Sequence, residues 1–369
     1  MNGPRFSWFL PTGGDSRTLA GGVHGTRIGD TQDPPGGQRP ASLAYLTQLA
    51  QAADQLGYHA VLTPTGAHCE DAWITTAALI PRTRRLRFLV ALRPGLVSPV
   101  LTAQVAGTFA RLSGGRLDLN VVIGSSDAEQ RGYGDPLGHD ERYARAAQFL
   151  TITRDALAGK PYDFQGEYYT VTGGTPHEPV EPAPTVYFGG SSPAALAVAA
   201  EHADVYLTWG EPPALVAEKL DRVRALARRH GRRVRFGIRL HVITRPTHEQ
   251  ARSAARALLD GVDDDTIAAR QASLRGLDSH GQRRMLDLHG GDRDRLWLAP
   301  NLWAGIGLLR GGAGTALVGS HDEVAQRIQD YRDLGIEEFI LSGYPHLEEA
   351  YAFAEGVAPL FPRATEGVS

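Results

Sequence analysis

Short apolar runs alternate with helical patterns along almost the whole of this 369-residue chain, and this alternation restricts the folds it can adopt. The predicted strands are residues 6–10, 61–62, 86–91, 117–123, 185–188, 205–208, 236–243 and 339–341. Helical periodicity covers residues 43–56, 102–112, 141–157, 194–201, 213–230, 248–259 and 322–334. Because strands joined by crossover helices pair in parallel, the pattern predicts an α/β protein with a (β/α)8 TIM barrel. A doubly wound sheet is the alternative.

Two stretches interrupt the alternation, and we expect both to be insertions in a single domain that spans residues 1–369. Residues 13–40 are rich in glycine and proline and lack apolar periodicity, which predicts a long first loop. Residues 263–318 begin with a charged, helix-forming part and continue into a glycine-rich part that contains Arg310. A glycine-rich segment with one arginine is typical of a lid over an active site.

Composition restricts the cellular setting and the class of partner. Cys69 is the single cysteine, whereas a secreted protein of this size is expected to have paired cysteines. No run of about 18 apolar residues is present, and the first ten residues lack a signal-sequence pattern. The net charge of -3 and the pI near 6.5 argue against a basic surface for nucleic acid. We therefore expect a cytoplasmic protein that binds neither nucleic acid nor membranes.

Two basic side chains belong to the predicted strand of residues 236–243, at the end where barrel enzymes have their active sites. Strand alternation turns Arg239 and His241 to the same side, which we predict to be the barrel mouth. The alternative is that the pattern is out of register and both side chains face solvent or a helix. Together with Arg310, Arg239 would bind an oxyanion such as a sulfonate or a phosphate.

A glycine- and serine-rich turn follows the predicted strand of residues 185–188. Glycines such as Gly190 let backbone amides approach an anion, Ser192 suits the cap of the next helix, and Pro193 suits its first position. These features predict a phosphate site. An ordinary strand-to-helix turn uses the same residues, so that alternative stays open.

Other sequence motifs do not predict chemistry. The chain has no Walker A loop, no Gly-x-Ser-x-Gly elbow and no His-Glu-x-x-His pair. Residues 139–141 (HDE) are potential metal ligands, but a loop leading into a helix capped by Asp140 explains them better. We expect no metal site.

Longer runs extend over nearly the whole chain and occur in a family-specific order. They are residues 9–12 (FLPT), 69–73 (CEDAW), 88–94 (FLVALRP), 187–192 (YFGGSS), 206–212 (YLTWGEP), 236–242 (FGIRLHV), 301–305 (NLWAG), 310–319 (RGGAGTALVG) and 341–351 (LSGYPHLEEAY). In these runs the chain resembles the two-component, reduced-flavin-dependent alkanesulfonate monooxygenases of the bacterial luciferase-like superfamily.

The resemblance implies a TIM barrel with insertions and a specific reaction. Members of that family take FMNH2 from a separate NAD(P)H-dependent flavin reductase and use O2 as co-substrate. They cleave the carbon–sulfur bond of an alkanesulfonate, a small anionic organic substrate, to an aldehyde and sulfite. A homo-oligomer, either a dimer or a tetramer, is also implied.

The resemblance also implies roles for individual residues. Arg239 and Arg310 would bind the sulfonate and stabilise the peroxyflavin. His241 and Tyr344 would provide proton transfer and hydrogen bonds near the reacting carbon, and Cys69 would lie beside the flavin. The implied cofactor-binding residues are Asn120, Tyr143, Gly190, Ser191, Ser192 and Trp209.

Four departures from the family pattern leave the substrate open. Gly13 stands where the family has a histidine, Ile123 replaces a threonine, the first loop is longer, and no C-terminal extension follows Pro362. Two alternatives therefore remain. One is peroxyflavin oxygenation of a sulfone, an amine or a ketone, and the other is a degenerate flavin-binding protein without catalysis.

Overall fold

The structure is a computed structural model that describes residues 3–19, 38–159, 161–174 and 178–362. In chain order the strands are β1 (Arg5–Phe9), β2 (Ala60–Thr63), β3 (Arg87–Leu92), β4 (Leu117–Val121), β5 (Tyr162–Gln165), β6 (Thr170–Gly174), β7 (Thr185–Gly189), β8 (Val205–Trp209), β9 (Arg235–Arg245), β10 (Trp297–Ala299), β11 (Leu302–Trp303), β12 (Ala316–Ser320) and β13 (Glu338–Ser342).

The α-helices lie between the strands, mostly as crossovers. They are α1 (Leu43–Leu56), α2 (Ala72–Leu79), α3 (Pro99–Ser113), α4 (Asp127–Gly132), α5 (His139–Leu157), α6 (Pro193–His202), α7 (Pro213–Arg229), α8 (His248–Ala257), α9 (Asp264–Arg275), α10 (His280–His289), α11 (His321–Asp333) and α12 (His346–Gly356). None of the helices in the described ranges is both long and apolar enough to cross a membrane.

Eight strands form a closed parallel barrel in the order β1-β2-β3-β4-β7-β8-β9-β13. β13 closes the ring by pairing with β1, where Arg5 lies opposite Glu338. The barrel confirms the predicted (β/α)8 fold, and the doubly wound sheet is wrong. All eight predicted strands are barrel strands. They could be predicted because each is a short apolar run bounded by turn residues.

One barrel strand is longer than its sequence pattern indicates. β9 ends at Arg245 rather than at residue 243, because its last residues pair with β12, in which Ala316 lies opposite His241. β12 also pairs with the two-residue strand β11, which pairs with β10. These additions to the sheet, and the β5–β6 hairpin, are too short for recognition from periodicity.

The two predicted insertions follow β1 and β9. At the base of the first, the backbone N–H of Asp15 donates to the carbonyl of Arg39 at 2.8 Å, and the reverse bond is 2.7 Å long. Residues 20–37 of this predicted loop lie outside the described residues. The second insertion contains α9 and α10, and then a one-turn helix at Gly305–Leu308 that leads to Arg310.

Alternation along the strands separates two layers of the core. Ile238, Leu240 and Val242 are buried in the large apolar cluster that also contains residues of the helices. Inside the barrel a smaller cluster includes Phe9 and Ile340, and the Arg239 guanidinium carbon lies 4.8 Å from the centre of the Phe9 ring. Arg239 therefore faces the barrel interior, as the alternation predicts.

Candidate active site

A cavity of about 370 Å³ lies at the carboxyl ends of the barrel strands, between these ends and the second insertion. All six predicted cofactor-binding residues and one predicted catalytic residue line it: Asn120, Tyr143, Gly190, Ser191, Ser192, Trp209 and Arg239. These seven residues come from α5 and from the ends of four strands, β4, β7, β8 and β9. A volume of this size is within the range of about 300–1,000 Å³ that is usual for ligand sites.

The end of the cavity at β7 has the features of an anion site. Ser192 caps α6, since its hydroxyl oxygen accepts from the backbone N–H of Ala195 at 3.2 Å, and Pro193 is the first helical residue. Burial raises the pKa of Tyr143 to about 12, and the neighbouring Ser192 side chain opposes this shift. The Tyr143 phenol therefore stays protonated at neutral pH. The predicted helix cap at Ser192 is confirmed.

Gly190 has a backbone conformation that other residues rarely adopt, with φ of 143°. A Cβ at this position would lie 2.5 Å from the Cβ of Ala195 and 3.1 Å from the Tyr143 hydroxyl. No side chain fits there without displacing α6 or Tyr143. Gly190 thus lets the start of α6 and Tyr143 pack closely against the turn, which is a feature that glycine-rich anion sites share.

His139 lines the same part of the cavity and was missed as a site residue in the sequence. Its ring lies 4.9 Å from the Tyr143 ring and 5.9 Å from the His280 ring of the second insertion. The predicted Asp140 cap is wrong. Gly138 is the cap of α5, because its φ and ψ are extended and its N–H donates to the Glu141 carboxylate at 2.8 Å. In the described ranges no three His, Cys, Asp or Glu side chains converge as metal ligands would.

Arg239 is a buried cation whose partners are all neutral. Its Nη1 donates to the Leu240 carbonyl at 2.6 Å, and its Nη2 donates to the Ser342 hydroxyl oxygen at 2.8 Å. Burial lowers the pKa of Arg239 to about 10, so the side chain still carries its charge at neutral pH. No carboxylate among the described residues forms an ion pair with it.

Arg310 is a second buried cation, with 4 % of its surface exposed. Its Nε and Nη2 have no hydrogen-bond partner in the described part of the chain, and its guanidinium carbon lies 5.4 Å from the centre of the Tyr344 ring. Burial lowers the pKa of Arg310. Asp15 partly offsets this shift, but no carboxylate among the described residues forms an ion pair with Arg310. A buried cation without an ion-pair partner is costly, and the site therefore suits an anion.

His241 uses both ring nitrogens within the protein. Its Nε2 lies 3.1 Å from the Ala313 carbonyl oxygen, and its Nδ1 lies 2.8 Å from the Ser342 hydroxyl. Because a carbonyl only accepts, Nε2 holds the proton and Nδ1 accepts from Ser342. Burial and then the charge of Arg239 hold the pKa of His241 well below its usual value.

Tyr344 packs against this imidazole. The two rings are 5.4 Å apart and nearly parallel, at 19°. The four predicted catalytic residues Arg239, His241, Arg310 and Tyr344 therefore form one cluster. Only Arg239 also lines the cavity, and the chain next to Arg310 reaches it through Gly311 and Gly312.

Cys69 lies apart from that cluster and is not a lining residue of the cavity. Burial raises the pKa of its thiol. A protonated thiol is a poor nucleophile. Arg93, to which the sequence assigns no role, lines the cavity nearby and donates from Nη2 to Glu129 at 3.0 Å.

Three polar residues beside the cluster were missed in the sequence: Ser342, His346 and Asp15. The His346 ring stacks on Phe9 at 5.6 Å, and its backbone N–H donates to the Asp15 carboxylate at 2.8 Å. Burial raises the pKa of Asp15 to about 6. The run of residues 341–351 contains Ser342 and His346, but their partners are distant in sequence and no local pattern predicts these contacts.

The family is decided by a match along most of the sequence. Residues 4–338 match the luciferase-like monooxygenase family. The chain belongs to this family of oxidoreductases. The barrel, and the cavity at the carboxyl ends of its strands, agree with membership of the luciferase-like monooxygenase family.

Solved structures of three proteins are similar in fold to this luciferase-like family member. Riboflavin lyase, solved with modified FMN and riboflavin, is 22% identical, with 97% of this chain and 91% of that chain covered and a TM-score of 0.78. EDTA monooxygenase from Chelativorans sp. BNC1 is 19% identical, with 97% and 93% covered and a TM-score of 0.74. Long-chain alkane monooxygenase is 19% identical, with 98% and 91% covered and a TM-score of 0.77.

Proposed function

We propose that this protein is a two-component flavin-dependent monooxygenase that uses FMNH2 and O2 to convert an alkanesulfonate into an aldehyde and sulfite. The observation that carries the proposal is a pair of buried arginines, Arg239 and Arg310, beside a flavin-sized cavity. No carboxylate of the described residues forms an ion pair with either of them. One oxygen atom of O2 enters the aldehyde and the other leaves as water. When bound, the reduced flavin supplies the two electrons and activates O2.

The residues that line the cavity fit FMN. Ser191, Ser192 and the Tyr143 hydroxyl would hold its phosphate at the start of α6, where the helix dipole favours an anion. Asn120 and Trp209 would flank the ring system. Gly190 would support this site because the absence of its Cβ lets Tyr143 and the start of α6 lie close to the turn.

The residues of the cluster would orient the substrate. Nε and Nη2 of Arg310 are free to donate to a sulfonate, and Arg239 adds a second positive charge. The rings of Phe9 and Tyr344 cover the two guanidinium groups and exclude water from them. A neutral sulfone, amine or ketone would leave both guanidinium groups without an ion-pair partner, and we therefore favour the sulfonate.

His241 would hold its proton on Nε2 rather than exchange it freely. The bond to Ala313 places that proton towards the segment that carries Arg310, and Ser342 transmits the position of Arg239 to the imidazole. In this arrangement His241 positions the two arginines relative to each other. Direct proton transfer by His241 would require the bond to Ala313 to open.

We also propose two protein partners. A separate NAD(P)H-dependent reductase would supply FMNH2, as in the alkanesulfonate monooxygenases that the sequence resembles. Self-association into a dimer or tetramer is supported by apolar side chains at the surface, which are Ile74 on α2, exposed to 74%, and Leu101 and Leu112 on α3. Sedimentation velocity of the native protein and of an Ile74→Glu, Leu101→Glu variant tests this proposal.

The proposed reaction is tested by sulfite release. The protein is incubated with a flavin reductase, NADH, FMN, O2 and alkanesulfonates of different chain length. We expect sulfite in amounts equal to the aldehyde, and an increase in KM of about 10- to 100-fold for Arg310→Ala, because a charge-assisted hydrogen bond is lost. Arg228→Ala, an exposed residue on α7, is the matched control and should behave as the native protein.

Each alternative predicts a different result in this assay. FMNH2 binding without sulfite from any sulfonate would exclude sulfonate cleavage, and product mass spectrometry would then identify an oxygenated sulfone, amine or ketone. O2 consumption no higher than that of the reductase alone would indicate a flavin-binding protein without catalysis.

A further inference from the structure

Gln282 lies in the first turn of α10 and lines the cavity, although the sequence gives it no role. Only 2 % of its surface is exposed. Its amide nitrogen, Nε2, is buried and has no hydrogen-bond partner among the described residues. A buried donor of this kind is unfavourable unless a ligand completes it.

The orientation of the Gln282 amide follows from its other contact. Oε1 accepts from the backbone N–H of Gly312 at 2.8 Å. Because that N–H can only donate, the oxygen has to face Gly312 and the amino group has to face away from it. Nε2 is therefore the group that Gln282 offers to a molecule in the cavity.

α10 holds this amide on a rigid support. The Ser279 hydroxyl caps the helix by accepting from the Gln282 N–H at 3.1 Å. Two residues later, Arg284 donates from Nε and Nη2 to the buried Glu211 carboxylate, at 2.9 and 2.6 Å. Lys219 donates to the same carboxylate at 2.9 Å. The helix is thus fixed to the β8–α7 connection.

Gln282 also holds the chain that carries Arg310. A Cβ on Gly311 would lie 3.4 Å from Gln282 Oε1, so the amide packs directly against the residue that follows Arg310. Gly311, Gly312, Gln282 and Arg239 line one cavity. A molecule that accepts from Nε2 is therefore next to the segment that delivers the Arg310 charge.

We propose that Gln282 is a substrate-binding residue, whose Nε2 donates to a sulfonate oxygen while its Oε1 holds the Arg310 segment in place. The proposal rests on the sulfonate reaction proposed above. A sulfonate has three oxygens, and a neutral donor beside two guanidinium groups satisfies an oxygen without a third charge. Gln282 would thus favour a sulfonate over a carboxylate, because a carboxylate has one oxygen fewer to accept a hydrogen bond from Nε2.

Two substitutions separate substrate binding from structural support. Gln282→Glu keeps the shape and the acceptor for Gly312 but replaces the donor by an oxygen, which repels the sulfonate and competes for Arg310. Gln282→Met removes both contacts. The measurement is the affinity for 1-octanesulfonate of the FMNH2-loaded protein without O2, from the change in flavin absorbance, together with the affinity for FMNH2 itself.

We expect Gln282→Met to weaken octanesulfonate binding by about 10-fold and Gln282→Glu by more, with little change in FMNH2 affinity. Native sulfonate affinity in Gln282→Glu, with a loss only in Gln282→Met, would overturn the proposal, since the residue would then only support Gly312. A selective loss of FMNH2 affinity in both variants would also overturn it. Sulfonate binding without turnover in the native protein would instead contradict the proposed reaction and leave this binding role intact.

Discussion

The hydroxyl oxygen of Ser342 lies 2.8 Å from Nδ1 of His241, at the carboxyl ends of two adjacent barrel strands. The same oxygen accepts from Nη2 of Arg239, and His241 in turn donates to the Ala313 carbonyl. One line of hydrogen bonds therefore connects a buried cation to the glycine-rich segment that carries Arg310. The position of this segment depends on groups that are distant in sequence.

Ser342→Ala should break the line of hydrogen bonds between Arg239 and His241. Arg239 Nη2 and His241 Nδ1 would lose a buried partner, and we expect the free energy of unfolding to fall by about 1–3 kcal/mol. Turnover of a sulfonate should fall as well, with FMNH2 affinity preserved. Urea unfolding and steady-state kinetics measure the two effects.

Ser113→Ala is the control for Ser342, because the Ser113 hydroxyl is also buried but bonds within and beside α3, to Ala110 and Arg116. It should lose stability without loss of kcat. Equal kcat values for Ser342→Ala and the native protein would contradict a positioning role for Ser342.

His241 should remain neutral with its proton on Nε2 at all pH values near neutrality, since burial and Arg239 hold its pKa well below the usual value. Nitrogen-15 NMR of labelled histidine reports this tautomer directly. The lowered pKa of His241 should also make the free energy of unfolding depend on pH. Below about pH 6.5 the unfolded chain takes up a proton that the native chain does not, so stability falls by about 1.4 kcal/mol per pH unit for this group.

A His241→Asn variant is the comparison, because it lacks a group that titrates. Between about pH 6.5 and 5, the free energy of unfolding of this variant should change less steeply with pH than that of the native protein. The difference in slope should correspond to one proton. An imidazole signal that titrates near pH 6.5 in the native protein would show that His241 exchanges its proton freely.

Cys69 should react slowly with alkylating reagents, because burial raises the pKa of its thiol. At pH 7.5 we expect iodoacetamide to modify Cys69 more slowly than it modifies the thiol of free glutathione. The rate should rise only above about pH 8.5, the usual pKa of a thiol. Mass spectrometry measures the extent of modification. Because Cys69 does not line the cavity, Cys69→Ser should reduce flavin affinity or oxygenation at most modestly. A complete loss of turnover with normal FMNH2 binding would indicate a nucleophile.

Gly190→Ala should impair flavin binding, because the added Cβ would lie 2.5 Å from Ala195 and 3.1 Å from the Tyr143 hydroxyl. We expect FMNH2 affinity to fall by more than about 10-fold, as expected when the backbone can no longer approach an anion. Gly57→Ala is the matched control, since Gly57 also has a positive φ, of 83°, and nothing lies within 4 Å of its added Cβ. That variant should lose about 1 kcal/mol of stability and keep its flavin affinity. Similar flavin affinities for the two variants would argue against the phosphate site.

Local patterns were sufficient for some features of the site and misleading for others. The cap at Ser192 was predictable, because a capping side chain bonds to a backbone group three residues away. The same reasoning failed at Asp140, since the extended residue before the helix is Gly138, and backbone conformation rather than residue type decides the cap. β12 escaped prediction because it is stabilised by pairing with the end of β9.

The sequence by itself determined the order of the eight barrel strands, the strand end at which Arg239 and His241 lie, and the loop that caps α6. These features depend on neighbours within a few residues, so periodicity and turn residues encode them. Only the tertiary structure decided the tautomer of His241, the burial of Arg310 without an ion-pair partner and the free amino group of the Gln282 amide. Barrel closure and the second insertion bring Ser342, Ala313 and Gly312 to these groups, and no local pattern records contacts across such distances along the chain.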